Sequence, residues 1–280
     1  MPSRWEVTLC GPADAGVPLA APHAVVSGWL DDRAARPGGA GTGQSGHGDQ
    51  VKKWAFGPLR AATGGPAGIV LQVRLLDDAL AGRLTASTRP GTAVRLGSGH
   101  YQVREPALLV AQASWAGLGA APVSRAWQVR FATPACARRR NRAAPLLSPD
   151  TLALGLAERW RLLDPATAPV PPWRPGSCPV WVSDLDGRTE VQLLPRTVRR
   201  GDGWERREEV ISGFTGRVRY SCDQGNDAGA TVFGALLAFA SFAGAGSHTA
   251  YGFGVTVPEP TWQPPTIRAD DATRAGNHQE

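Results

Sequence analysis

Twice along this 280-residue chain the spacing of apolar residues changes in the same order: strand, helix, strand, strand, helix, strand. This order constrains the fold most. Strands repeat with period 2 and helices with period 3.6, so neither pattern can be seated as the other. In the first round, residues 4–10 alternate Trp5, Val7 and Leu9 with polar neighbours, and residues 18–32 carry Val25, Val26, Trp29 and Leu30 as a helical stripe. Residues 53–60 and 68–76 read as strands, 77–84 as a short helix and 100–114 as a strand region. In the second round, 126–133 is a strand, and Ser148 caps a helix over 149–163. Strands follow at 179–182, 190–198 and 210–222, then an apolar helix over 231–243. The last strand, 251–257, would place Tyr251, Phe253, Val255 and Val257 on one face. Two consecutive βαββαβ units predict an α+β fold of two tandem ferredoxin-like (RRM-like) domains with antiparallel sheets. The expected limits are 1–122 and 123–258, with a Pro-rich, polar, disordered tail over 259–280.

A hydrophobic fraction of 42% is that of a globular chain. The formal net charge of +6 favours a polyanionic partner, nucleic acid before membrane. The N-terminus, MPSRWEVTLC, lacks the charged-then-apolar pattern of an export signal. The longest apolar run, 231–243, is too short to span a bilayer, so a cytoplasmic protein without membrane contact is expected. Cys10, Cys136, Cys178 and Cys222 are scattered without C-x-x-C spacing, which supports neither a zinc site nor a disulfide framework. No metal and no cofactor are expected.

The stretch FAGAGSHTAYGFG, residues 242–254, follows a helix and precedes a strand. Phosphate-binding glycine loops have the opposite order, with the phosphate at the positive N-terminal end of the following helix. Anion binding here would have to come from loop amides and nearby arginines. One reading is that Gly244, Gly246, Gly252 and Gly254 let the backbone approach RNA, so that valine at 246 would obstruct RNA and spare stability. The other is that they only end a helix and relieve crowding.

Four stretches in order carry a family resemblance. GAGSHTAYGFG resembles the C-terminal glycine-rich motif of the RAMP superfamily of CRISPR-associated proteins. VRFATPACARRRNRAAPLLSPDTLALGLAERWRLL is similar to the central segment of the endoribonucleases that process precursor CRISPR RNA. VISGFTGRVRYSC is similar to their "GF-x-G" strand, and SGHGDQVKKWAFGPL to their N-terminal "H … KPF-x-x-SPL" segment. The resemblance spans His47 to Gly254. It implies tandem ferredoxin-like folds and a metal-independent nuclease that cuts repeat RNA, often holds the product and can serve a CRISPR effector complex. Two departures stand out: Lys53–Phe56 has no proline, and Gly57 replaces the family's serine.

RNA carries its own nucleophile, the 2′-hydroxyl beside the scissile phosphate. The enzyme must supply a base, an acid for the leaving 5′-oxygen and positive charge for the phosphorane. The resemblance assigns the acid–base role to His47, with Lys53 and, more weakly, Lys52 as electrostatic partners. These two are the only lysines in the chain. A solvated loop histidine with two surface lysines is the plain alternative. His23, His100 and His278 compete poorly, and His248 reads as an RNA contact. Arg138, Arg139, Arg140 and Arg142 form one basic cluster, and Arg217 and Arg219 alternate on one strand face; both suit phosphate contacts, and both also suit solvated surface. Trp54 and Trp204 could stack bases. The rival functions are a non-catalytic RAMP subunit that binds guide RNA, and a general RNA-binding module.

Overall fold

The computed structural model describes residues 1–12, 20–31, 52–63, 67–120, 122–139, 142–200 and 203–259. The glycine-rich loop expected over 35–50 and the expected tail, but for residue 259, lie outside them.

In the first sheet, β1 (Ser3–Cys10) pairs antiparallel with β4 (Gly68–Leu75) along its whole length, Ser3 opposite Leu75 and Cys10 opposite Gly68. β2 (Trp54–Phe56) and β3 (Arg60–Ala61) run along the far edge of β4. β6 (Gly99–Val103) and β7 (Leu108–Gln112) flank β1, with β5 (Ala93–Leu96) beyond β6. Grouped by position, the order is second, third, first, fourth strand, as the split βαβ arrangement requires. Val7, Leu9, Leu71, Val73 and Leu75 share one face, which α1 (Ala20–Leu30) and α2 (Ala79–Ser87) cover with Val26, Leu30, Leu80 and Leu84.

The second sheet repeats the plan. β8 (Ala126–Ala135) lies between β12 (Gly203–Cys222) and β13 (Thr256–Glu259), with β11 (Val180–Arg200) outside β12. α4 (Pro149–Leu163) and α5 (Asp227–Ala243) cover its inner face through Trp160, Phe233 and Phe239, against Phe131, Val218 and Tyr220. Ser148 caps α4, its hydroxyl accepting from the Thr151 amide, and Pro149 occupies the first turn, where no donor is lost. α5 is apolar all round because it is buried on two sides. It packs on its own sheet and also in one core with Leu76 and Leu118 from the first unit.

Three local expectations are corrected. Of the last strand expected over 251–257, only Thr256 and Val257 pair with β8, at the start of β13; Thr249–Tyr251 is a 3₁₀ turn, and Gly252 and Gly254 at φ +81° and +63° break the alternation. The region 100–114 is two strands separated at Glu105 and Pro106. Strands expected at 179–182 and 190–198 are one strand of 21 residues, paired with β12 up to Arg200 opposite Gly203. β12 leaves β8 beyond Phe214, so the rest is a two-stranded ribbon, held down where Leu194 and Ile211 pack with Cys136 and Phe253. β5, the helix α3 (Trp115–Gly119) and the hairpin of β9 (Ala137–Arg139) and β10 (Arg142–Ala144) were not expected. Among the described residues no helix is long and apolar enough to cross a membrane.

Candidate functional site

The stretches singled out in the sequence meet where the two units join. β2 enters from the first unit with Trp54 and Phe56 buried. The Phe56 ring lies against Gly252 of the glycine-rich loop, where a Cβ would come within 2.6 Å of Phe56 Cε2. His23 on α1 stacks face to face on Tyr251, with ring centroids 4.0 Å apart and planes 3° apart, and tilts against Trp54. Trp54 is therefore core rather than an exposed base-stacking ring, and its Nε1 donates to Asp31 Oδ1 at 3.0 Å.

Asp31, at the end of α1, also accepts from Ser27 Oγ and from Lys52 Nζ, each at 2.6 Å. Burial raises its pKa, but hydrogen bonds from Lys52, Ser27 and Trp54 outweigh this and leave it below the usual carboxylate value. The Asp31–Lys52 pair fastens the chain immediately on either side of residues 32–51. Lys53 Nζ donates to Asp77 Oδ2 at 2.7 Å, and that hydrogen bond lowers the Asp77 pKa against its burial. Both lysines are exposed, and each of these carboxylate pairs is worth at most about 1 kcal/mol. His47 lies outside the described residues.

Arg159 on α4 ties the junction together. Its Nη1 donates to the Ala243 carbonyl at 2.6 Å and to Thr249 Oγ1 at 2.9 Å, and its Nη2 to the Lys52 carbonyl at 3.3 Å. One side chain thus links α4, the end of α5, the glycine-rich loop and the lysine segment. Burial of the guanidinium pushes its pKa down to about 10, still charged at neutral pH. A cation at the last carbonyls of α5 also meets the negative end of the helix dipole. Sequence reading passed over this residue within the "RW" pair, although an arginine between the buried Leu156 and Trp160 is itself a sign of an internal partner.

All four loop glycines have positive φ. Gly244 ends α5, its amide donating to Ala240 O. Gly244, Gly252 and Gly254 are buried; Gly246 is exposed, yet a Cβ on it would overlap the Cys136 carbonyl oxygen. The close approach expected of this loop is thus made to the protein's own backbone: Ser247 N donates to Cys136 O at 2.8 Å and Gly254 N to Pro134 O at 2.8 Å. Valine at 246 would not spare stability, which corrects that expectation. His248 sits at φ +61° beside Tyr251 and Phe253.

The arginines divide. Arg138, on the β9–β10 hairpin, lies 3.7 Å from Glu209 of the ribbon, and the backbone of Arg139 pairs with that of Arg142. Arg140 and the side chains of Arg139, Arg142 and Trp204 lie outside the described residues. Arg217 and Arg219 point away from the core opposite Arg130 and Gln128, and Glu259 bridges Arg217 and Arg130 at 3.0 and 3.1 Å. His100 is exposed on β6.

Residues 129–256, a little under half of the chain, match the family model of the CRISPR-associated endoribonuclease Cas6. By sequence match and by fold, the resemblance is to Cas6. The Cas6 (TTHA0078) product complex superposes with a TM-score of 0.66 at 24% identity, covering 92% of this chain and 99% of that one. The Cas6 (TTHB231) product complex gives 0.64 at 22% identity, covering 92% and 100%. Thermus thermophilus Cas6 (TTHB231) gives 0.59 at 22%, covering 92% and 98%. No curated protein matches the chain. The Cas6-like likeness extends over both ferredoxin-like units, and one departure from the family pattern has a local reason. A Cβ on Gly57 would lie 2.8 Å from Gln72 Oε1, so a serine there would displace Gln72.

Proposed function

We propose that this protein is a metal-independent endoribonuclease of the cytoplasm that cuts CRISPR repeat RNA, converting precursor to mature crRNA. The observation that carries the reading is the junction itself. The lysine segment, the "RW" helix and the glycine-rich loop, which bear the family resemblance separately in sequence, are joined by Arg159 and by the Phe56–Gly252 contact. The likeness to Cas6 (TTHA0078) structures in product and substrate-mimic complexes supports RNA as the partner.

In this mechanism the 2′-hydroxyl attacks the adjacent phosphate and the 5′-oxygen leaves, giving a 5′-hydroxyl end and a cyclic or 3′-phosphate end. His47, five residues before Lys52, moves the protons. Lys53, released from Asp77, stabilises the phosphorane charge, with Lys52 in support. Arg138 to Arg140, Arg142, Arg217, Arg219, the glycine-rich loop and His248 hold the RNA, and the retained product can be passed to an effector complex. His47→Ala should abolish cleavage of the cognate repeat while changing its dissociation constant less than threefold, because phosphate contacts elsewhere dominate binding. Undiminished cleavage would remove His47 from the mechanism. Binding without cleavage by the unmodified protein would favour a guide-RNA-binding subunit.

A further inference from the structure

The face of the first sheet turned away from α1 and α2 places Arg4 of β1 directly opposite Arg74 of β4. Like charges so placed repel. Arg74 is 1% exposed, and its Nε and Nη2 share a single acceptor, Gln72 Oε1, at 3.1 Å each. Its Nη1 is buried without an acceptor, and so is Arg4 Nε. The Arg4 guanidinium lies over the Phe242 ring, 5.5 Å from the centroid, near the C-terminal end of α5.

Among the described residues no carboxylate pairs with either arginine. Glu6, the next residue of β1 on the same face, is bound to Arg60. Burial, then repulsion from Arg4, pushes the Arg74 pKa down to about 9. The carbonyl end of α5 is favourable for cations, but its Ala243 oxygen is taken by Arg159. A buried N–H of a charged group without an acceptor is costly, and two of them on arginines of paired strands call for an acceptor that bears negative charge. Farther along, from Glu6 onward, the same sheet face holds a groove of about 290 Å³ along Thr8, Val70, Arg104 and Glu105, which neither Arg4 nor Arg74 lines.

We infer that Arg4 and Arg74 form an oxyanion site in which one phosphate-like tetrahedral group accepts from their unpaired guanidinium N–H groups. The group is either a phosphodiester of bound nucleic acid or a free phosphate or sulfate ion. The site stands on these contacts alone and does not depend on whether the protein cuts RNA.

The test has two arms on the full chain. Melting is followed in sodium sulfate against sodium chloride at equal ionic strength, for the unmodified protein, Arg4→Gln and Arg74→Gln. The general salting effect of sulfate is common to all three, whereas a bound ion adds a saturable rise in Tm only where the site exists. We expect that added rise in the unmodified protein and its loss in both variants. Arg4 is half-buried rather than buried, so Arg4→Gln serves alone if Arg74→Gln does not fold. In the second arm, affinity for a labelled 2′-O-methyl oligonucleotide is measured against salt. A phosphodiester occupant predicts that Arg4→Gln reduces the slope by roughly one unit and that sulfate competes with the oligonucleotide. A free ion predicts an unchanged slope and the same sulfate response with the oligonucleotide bound. Equal sulfate responses in all three proteins, together with an unchanged slope, overturn the site.

Discussion

At the scale of single residues, Gly246 shows how a site residue can be fixed by packing. Its surface is exposed, but its φ of +80° and the Cys136 carbonyl beneath it leave no room for a side chain. Gly246→Val should lower stability by about 2–4 kcal/mol, combining an unfavourable backbone region with a forced shift of the Cys136 backbone between β8 and β9. Denaturant unfolding checks this: a loss below about 0.5 kcal/mol would mean the loop is not seated as described. Sequence reading recognised that this glycine permits a close approach but had no means of telling what approaches. Gly57 and Trp54 teach the same lesson. The reason for one is Gln72 and the partner of the other is Asp31, both distant in sequence and so invisible to a local pattern. Arg159 was passed over for the same reason, because its acceptors come from three other segments.

Among elements, the helix expected over 149–163 matches the observed α4, because a serine cap, a proline in the first turn and an apolar stripe all agree. The expected strand over 251–257 failed where alternation competed with glycines at positive φ, and the glycines prevailed. The long ribbon of β11 and β12 was split in the sequence reading because exposed strands carry little apolar patterning. Asp31 and Lys52, an ion pair between α1 and the segment that leads into β2, offer a local test of the assigned hydrogen bonds. The folded-state pKa of Asp31 is depressed, so its stabilising contribution is present above its unfolded pKa, near 3.9, and is lost as pH falls through the lower folded value. The stability gap between the unmodified protein and Asp31→Asn should be constant above about pH 5, at about 1–2 kcal/mol, and should narrow below about pH 4. Unfolding free energies measured across that range decide it; a gap that widens toward acid would contradict the assigned hydrogen bonds.

For the molecule as a whole, element order alone implied two ferredoxin-like units, and both sheets have the strand order that this requires. What element order could not show is how the units meet: α5 is buried between them and Arg159 joins four segments at one point. Arg159→Met keeps much of the bulk but leaves the Ala243 and Lys52 carbonyls and the Thr249 hydroxyl without this donor. It should cost about 2–4 kcal/mol of stability. It should also reduce cleavage by the folded protein at least tenfold at saturating RNA, because the lysine segment loses its hydrogen-bonded tie to the glycine-rich loop and keeps only the Phe56–Gly252 contact beside it. Unfolding and single-turnover cleavage measured on the same preparation would show both effects, and unchanged cleavage would separate the junction from the chemistry. In the proposed reaction the RNA supplies the nucleophile and the protein supplies proton transfer and charge at this junction. Its most direct test is single-turnover cleavage of the cognate repeat in excess chelator, with the scissile nucleotide either ribose or 2′-deoxyribose. Cleavage of the ribose substrate alone, leaving a 5′-hydroxyl end, is the predicted result; cleavage of the deoxy substrate, or loss of all cleavage in chelator, would contradict it.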